Sequence, residues 1–170
     1  MPTGGDAPVK STMDTNRTNV GQVLLQAAIQ QLIPHRYPFL FIDRVTEFTP
    51  GQRIVGVKHF AADDEACQGD TSGLGLVPTT ILTEMVTQLG AILVYAQPHM
   101  AGKIAVILAI PSSRMLKPVH VGDTLRVEAE VLRMRQDFGE MVGKAYRDGE
   151  LVAEGQLRFA VAPAAVMQSL

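Results

Sequence analysis

The sequence predicts an α+β domain in which one long, mostly antiparallel sheet lies against a single central helix. Three observations predict it. Residues 78–97 (PTTILTEMVTQLGAILVYAQ) carry apolar side chains around nearly the whole helical circumference, the mark of a buried helix. About four strand-like segments follow it, and two precede it. Tight-turn chemistry, Thr49-Pro50-Gly51 and Asp148-Gly149, joins neighbouring strands as hairpins.

Residues 1–18 are polar and rich in Gly, Pro and Thr, which predicts a flexible tail. Residues 20–33 predict a short amphipathic helix with Asn19 as N-cap, Val20, Val23, Leu24, Ala27, Ala28 and Leu32 on one stripe, and Pro34 beyond its end. Residues 39–48 and 52–60 read as strands; Ile54 and Val57 break the alternation of the second. Residues 61–77 form a long acidic, glycine-rich connection, of a length that is often functional. In the helix at 78–97, Pro78 suits the first turn, and Thr80, Thr83, Glu84, Thr87 and Gln88 form one narrow polar stripe. Residues 103–110 are a continuous apolar run. Residues 124–133 alternate, with Leu125, Val127, Ala129 and Val131 on one face, and strands at 140–147 and 151–161 follow. The domain expected is 19–163, with a C-terminal tail at 164–170.

The 170 residues are 46% hydrophobic and 19% charged, which is one domain with enough material for a core. A net charge of −2 without a basic stripe argues against nucleic acid as a partner. The single Cys67 excludes an intrachain disulfide framework and fits a reducing compartment. No apolar run reaches the roughly 20 residues of a membrane-spanning helix, and the N-terminus has no apolar leader region. The expectation is a cytoplasmic protein without membrane insertion. There is no HExxH and no paired cysteine, so neither a metal nor a cofactor is expected.

Four stretches carry a resemblance. They are Ile33-Pro34-His35-Arg36-Tyr37-Pro38-Phe39-Leu40 with Ile42-Asp43-Arg44-Val45; Pro50-Gly51 with Ile54 and Lys58; Lys117-Pro118-Val119 with Gly122-Asp123; and Asp148-Gly149-Glu150-Leu151-Val152. Across residues 33–160 the chain resembles the 3-hydroxyacyl-[acyl-carrier-protein] dehydratases, whose hot-dog fold is a sheet wrapped around one helix. That family reads Gly-His-Phe-Pro-Gly, then Pro-Val-Met-Pro-Gly, then Glu-Ala-Met-Ala-Gln. Here the corresponding residues are Gly69-Asp70-Thr71-Ser72-Gly73, Gly75-Leu76-Val77-Pro78-Thr79 and Glu84-Met85-Val86-Thr87-Gln88, without a gap. Glu84 fills the acid position. Asp70 stands where the family has its catalytic histidine, and Thr79 where it has a glycine.

The resemblance implies dehydration of a 3-hydroxyacyl thioester, on acyl carrier protein or coenzyme A. That reaction needs a base at the α-carbon, an acid at the β-hydroxyl and donors to the thioester carbonyl. Glu84 and Asp70 are the implied catalytic residues. Pro78, Thr79 and Thr80 at the positive helix pole, with Gln88, are the implied substrate-binding residues. A carboxyl on an otherwise apolar helix must be paired or have its pKa raised, which suits an acid catalyst. Asp70 reads two ways: a base weaker than histidine, or a loop aspartate bonding its own turn. His35, His59, His99 and His120 read as surface or packing residues. The family site is shared between two chains, which implies a homodimer or three dimers in a hexamer, with Glu84 facing Asp70 of the second chain. Two other functions remain open: a hot-dog thioesterase using Glu84, and a non-catalytic acyl-binding subunit paired with a histidine-bearing homologue.

Overall fold

The computed structural model describes residues 23–68, 70 and 72–165. The expected tail at 1–18 and the Asn19 cap lie outside them. Seven strands form one antiparallel sheet in the order β1-β2-β3-β5-β6-β7-β4. They are β1 (Leu24–Leu25), β2 (Arg44–Thr49), β3 (Arg53–His59), β4 (Lys103–Met115), β5 (Thr124–Met134), β6 (Phe138–Arg147) and β7 (Glu150–Pro163). Two helices, α1 (Gln26–Leu32) and α2 (Thr79–Tyr95), complete the domain. The expected α+β arrangement of a sheet around one long helix is what the chain adopts.

Helix α2 fills the concave face of the sheet. Leu82, Met85, Leu89, Ile92 and Leu93 are buried on it, against Ile54, Leu125, Val127, Met141 and Leu157 of the strands. Close approach needs glycine at the contact. A Cβ on Gly143 would fall 1.9 Å from Val86 Cγ1, and one on Gly90 would fall 2.2 Å from Met141 Sδ. The Asp148-Gly149 turn has φ of 51° and 82°, the left-handed pair that a two-residue hairpin requires.

Three local expectations are corrected. Helix α1 starts only at Gln26, because Leu24 and Leu25 pair with Val45 and Arg44 of β2. Its buried side is set by Ile29, with Ile33 just beyond, while Val23 and Ala27 are exposed. Strand β2 begins at Arg44, not at residue 39, because the backbone of Phe39 and Phe41 bonds to a side chain of α2. Strand β4 runs on to Met115, with register shifts at Ile107/Ala109 and Ala109/Ser112 that bend it along β7. It is the sheet edge, and Val106, Ile107, Leu108 and Ile110 on it are exposed.

The acidic connection is pinned at both ends. Lys58, only 6% exposed, reaches from β3 to Asp64 at 2.9 Å and Asp43 at 3.7 Å. Past the loop tip, Val77 N–H donates to Val119 O (2.8 Å) and Val121 N–H to Gly75 O (2.8 Å). These anchors deliver the chain to the N-terminus of α2 from a fixed direction.

Candidate functional site

Glu84 lies in the second turn of α2, with its side chain about a quarter exposed. Its surroundings are built by residue 88, one turn on. Gln88 is fully buried. A buried carboxamide must find partners, and this one finds three. Its Oε1 accepts from Phe41 N–H (2.8 Å), and its Nε2 donates to Phe39 O (3.0 Å) and to Glu84 Oε1 (2.9 Å). Both amide hydrogens are therefore committed. Gln88, expected to meet substrate, holds Glu84 and the segment that crosses α2.

That segment carries a residue the sequence reading placed elsewhere. His35 Nε2 stands 3.5 Å from Glu84 Oε1. Its Nδ1 is buried and has no hydrogen-bond partner among the described residues. The ring stacks on Phe39 at 6.3 Å, and Phe39 meets Phe41 edge-on at 4.8 Å. Arg36 locks the backbone beneath it by donating to the carbonyls of Gln30 (2.8 Å), Ile33 (2.9 Å) and His35 (2.7 Å). The usable sequence signal was a pair of polar residues four apart on an apolar helix, which demands polar company from another segment.

Asp70 is engaged by its own loop. Its Oδ1 accepts the backbone N–H (2.9 Å) and the hydroxyl of Ser72, and its Oδ2 accepts Leu76 N–H (2.9 Å). The Ser72 hydroxyl first, then the Leu76 and Ser72 amides, lower its pKa to about 2. This is the turn-forming behaviour of a loop aspartate, and its direction is opposite to what a proton-abstracting base needs.

Pro78 is the N-cap of α2, and Thr79 and Thr80 are exposed in its first turn. Pro78 O takes the N–H groups of Ile81 and Leu82, whereas the amides of Thr79 and Thr80 precede any intrahelical acceptor. They offer donors and positive potential to an anion or a polarised carbonyl. Beside them runs an apolar crevice lined by Thr79, Leu82 and Val86 of α2, Ile110 and Ser112 of β4 and Leu157 of β7. Thr83 and Ser113 close one side through hydroxyls 2.7 Å apart. Among the described residues, no hydrogen bond or ion pair links His59, His99 or His120 to Glu84. No group of metal-ligating residues occurs among the described residues, and no helix there is long and apolar enough to cross a membrane.

Comparison with known proteins gives these features a context. A family model described as "FabA-like domain" matches residues 33–156. The chain is 41% identical over 134 residues to the 3-hydroxyacyl-[acyl-carrier-protein] dehydratase FabZ of Desulforamulus reducens, covering 79% of this chain and 94% of the relative. Among solved structures it is similar to the dehydratase heterocomplex ApeI:P from Xenorhabdus doucetiae, with a TM-score of 0.70 at 15% identity over 83% of this chain and 95% of the other. It is also similar to a hot-dog-like protein from Thermanaerovibrio acidaminovorans, with a TM-score of 0.61 at 20% identity over 72% and 89% of the two chains. The fold is the hot-dog fold.

Two outcomes follow from the geometry. Gln88→Leu keeps the volume but strips Phe41 N–H and Phe39 O of their partner; it should lower stability by about 2–4 kcal/mol in urea unfolding, through a lower midpoint at an unchanged m value. Asp70 has a folded pKa near 2, below the ordinary 3.8. Its stabilisation of the loop is thus complete above pH about 4 and fades as the pH falls towards 2. Hydrogen exchange at the Leu76 amide should accelerate over that interval, beyond its intrinsic pH dependence, and Asp70→Asn should remove the transition.

Proposed function

The chain belongs to the 3-hydroxyacyl-[acyl-carrier-protein] dehydratase family, and on that premise we propose that it acts on 3-hydroxyacyl thioesters, removing water to give 2-enoyl thioesters in acyl-chain synthesis in the cytoplasm. The observation that carries this reading is the Glu84 carboxyl, held by Gln88 and His35 on a buried helix whose N-terminal amides are open. Donors at Thr79 and Thr80 suit the oxygen of a thioester enolate. A narrow crevice between α2, β4 and β7 opens beside that pole. Thr79 in place of a glycine narrows the approach to that helix pole.

The assembly belongs to the same proposal. The exposed Val106, Ile107, Leu108 and Ile110 on the unpaired edge of β4 are covered by a second copy, giving a homodimer that can build a trimer of dimers. A second reading is favoured by the hydrogen bonds that occupy Asp70. With position 70 committed to its loop, the chain would be the carboxylate-bearing subunit of a pair completed by a histidine-bearing homologue. The Xenorhabdus protein of the same fold is a dehydratase heterocomplex.

Mass spectrometry of the purified protein with 3-hydroxyacyl and saturated acyl thioesters, on acyl carrier protein and on coenzyme A, tests the reading. Dehydrated product is expected, and Glu84→Gln should lower its rate about 10²–10⁴-fold. Free acid in place of enoyl product would make the protein a thioesterase. Dehydration only after adding a histidine-bearing homologue would support the paired subunit. Light scattering should give at least a dimer at micromolar concentration; a monomer near 18 kDa would remove the shared site.

A further inference from the structure

We propose that one chain carries its own histidine–carboxylate dyad, in which His35 positions Glu84 so that this single carboxylate both removes the α-proton and returns it to the leaving β-hydroxyl. The inference rests on the reading above that the substrate is a 3-hydroxyacyl thioester. It changes who performs the chemistry: position 70 is not needed for it.

The division of labour between the two carboxylate oxygens carries the argument. Gln88 donates to Oε1 at 2.9 Å, and His35 Nε2 approaches the same Oε1 at 3.5 Å. Both donors lie on one side of the carboxyl, so Oε2 is the oxygen left for a substrate. The His35 ring is fixed by its stacking on Phe39 and by the Arg36 lock on its backbone. Its Nδ1 is buried without a partner among the described residues. A buried N–H without an acceptor is costly, so the proton belongs on Nε2, the nitrogen 3.5 Å from Glu84 Oε1. His35 thus acts through Glu84 as a positioning residue, and Glu84 is the catalytic one.

The step balances within the substrate and Glu84. Ionised Oε2 takes the α-hydrogen as a proton, and the C–H electron pair moves into the thioester enolate. The enolate oxygen sits against the amides of Thr79 and Thr80. The enolate then reforms the carbonyl, the new carbon–carbon double bond expels the β-hydroxyl, and that oxygen takes the proton back from Oε2. Water and a 2-enoyl thioester leave, and Glu84 is again a carboxylate. The α-hydrogen and the β-oxygen are on neighbouring carbons, so one oxygen on the same face serves both. Asp70 stays outside, its oxygens occupied by Ser72 and Leu76 and its pKa near 2.

Two readouts separate the base step from the complete reaction: deuterium uptake at the α-carbon of decanoyl thioester in D2O, and water loss from 3-hydroxydecanoyl thioester. The wild-type protein should exchange the α-hydrogen. Glu84→Gln should abolish both readouts. His35→Ala should lower kcat for both about tenfold or more with KM little changed, and His35→Gln, which restores an N–H, should recover part of the loss. Unchanged kcat in both His35 variants would overturn the dyad. So would a wild-type protein that exchanges no deuterium, or exchange lost in Asp70→Asn but kept in His35→Ala. If exchange depends on Glu84 and His35 while no enoyl product forms, the dyad stands and the dehydratase reading falls.

Discussion

The buried carboxamide of Gln88 is the constraint on which the rest of the site depends. An amide side chain with no exposure, on a largely buried helix, is stable only if every polar atom finds a partner. Those partners are the backbone of Phe39 and Phe41 and the carboxyl of Glu84. The same three bonds therefore hold residues 39–41 across α2, keep them out of the sheet, and fix the rotamer of Glu84. His35 reaches Glu84 because the segment that carries it cannot run elsewhere. One residue thus ties the local path of the chain to the position of Glu84.

The sheet must cooperate for that helix to be buried at all. Contact between α2 and the strands is close enough that Gly143 accommodates Val86 and Gly90 accommodates Met141, where a Cβ would collide. The edge strand β4 bends through two register shifts as it follows β7. Its curvature leaves the crevice beside the N-terminal half of α2, bounded by Ile110 and Ser112. Tight packing at the centre and a gap at the edge are both consequences of wrapping a finite sheet around one cylinder. The apolar edge at 106–110 is left exposed by the described residues.

Much of this architecture is legible in the sequence because it is written in local periods. The apolar circumference of 78–97 and the alternation in 124–133 need only neighbouring residues to be read, and α2 and β5 appear where those patterns lie. The path of residues 39–41 is not set locally: Phe41 N–H and Phe39 O bond to a side chain 47 and 49 positions away. Apolar content alone made it look like a strand. The burial of Gln88 and the approach of His35 to Glu84 were hidden for the same reason. Glu84 itself was found through spacing relative to a family motif. Asp70-Thr71-Ser72 carried a local sign of a carboxylate capping its own turn, and the bonds to Ser72 and Leu76 follow that pattern.

Those bonds also explain what an aspartate at position 70 gains and loses. A carboxylate has about four lone-pair positions, whereas a neutral imidazole accepts at one nitrogen. The tip of this loop presents amides at Ser72 and Leu76 and the hydroxyl of Ser72, which together call for a multiple acceptor. Each donor that orders the loop also favours the ionised carboxylate over the acid, which is why the pKa falls to about 2. Loop order and basicity are therefore opposed at this one side chain: the interactions that make Asp70 a good organiser make it a poor proton acceptor. Glu84 is held differently: Gln88 Nε2 and His35 Nε2 both approach Oε1, at 2.9 and 3.5 Å, and no described residue bonds its Oε2.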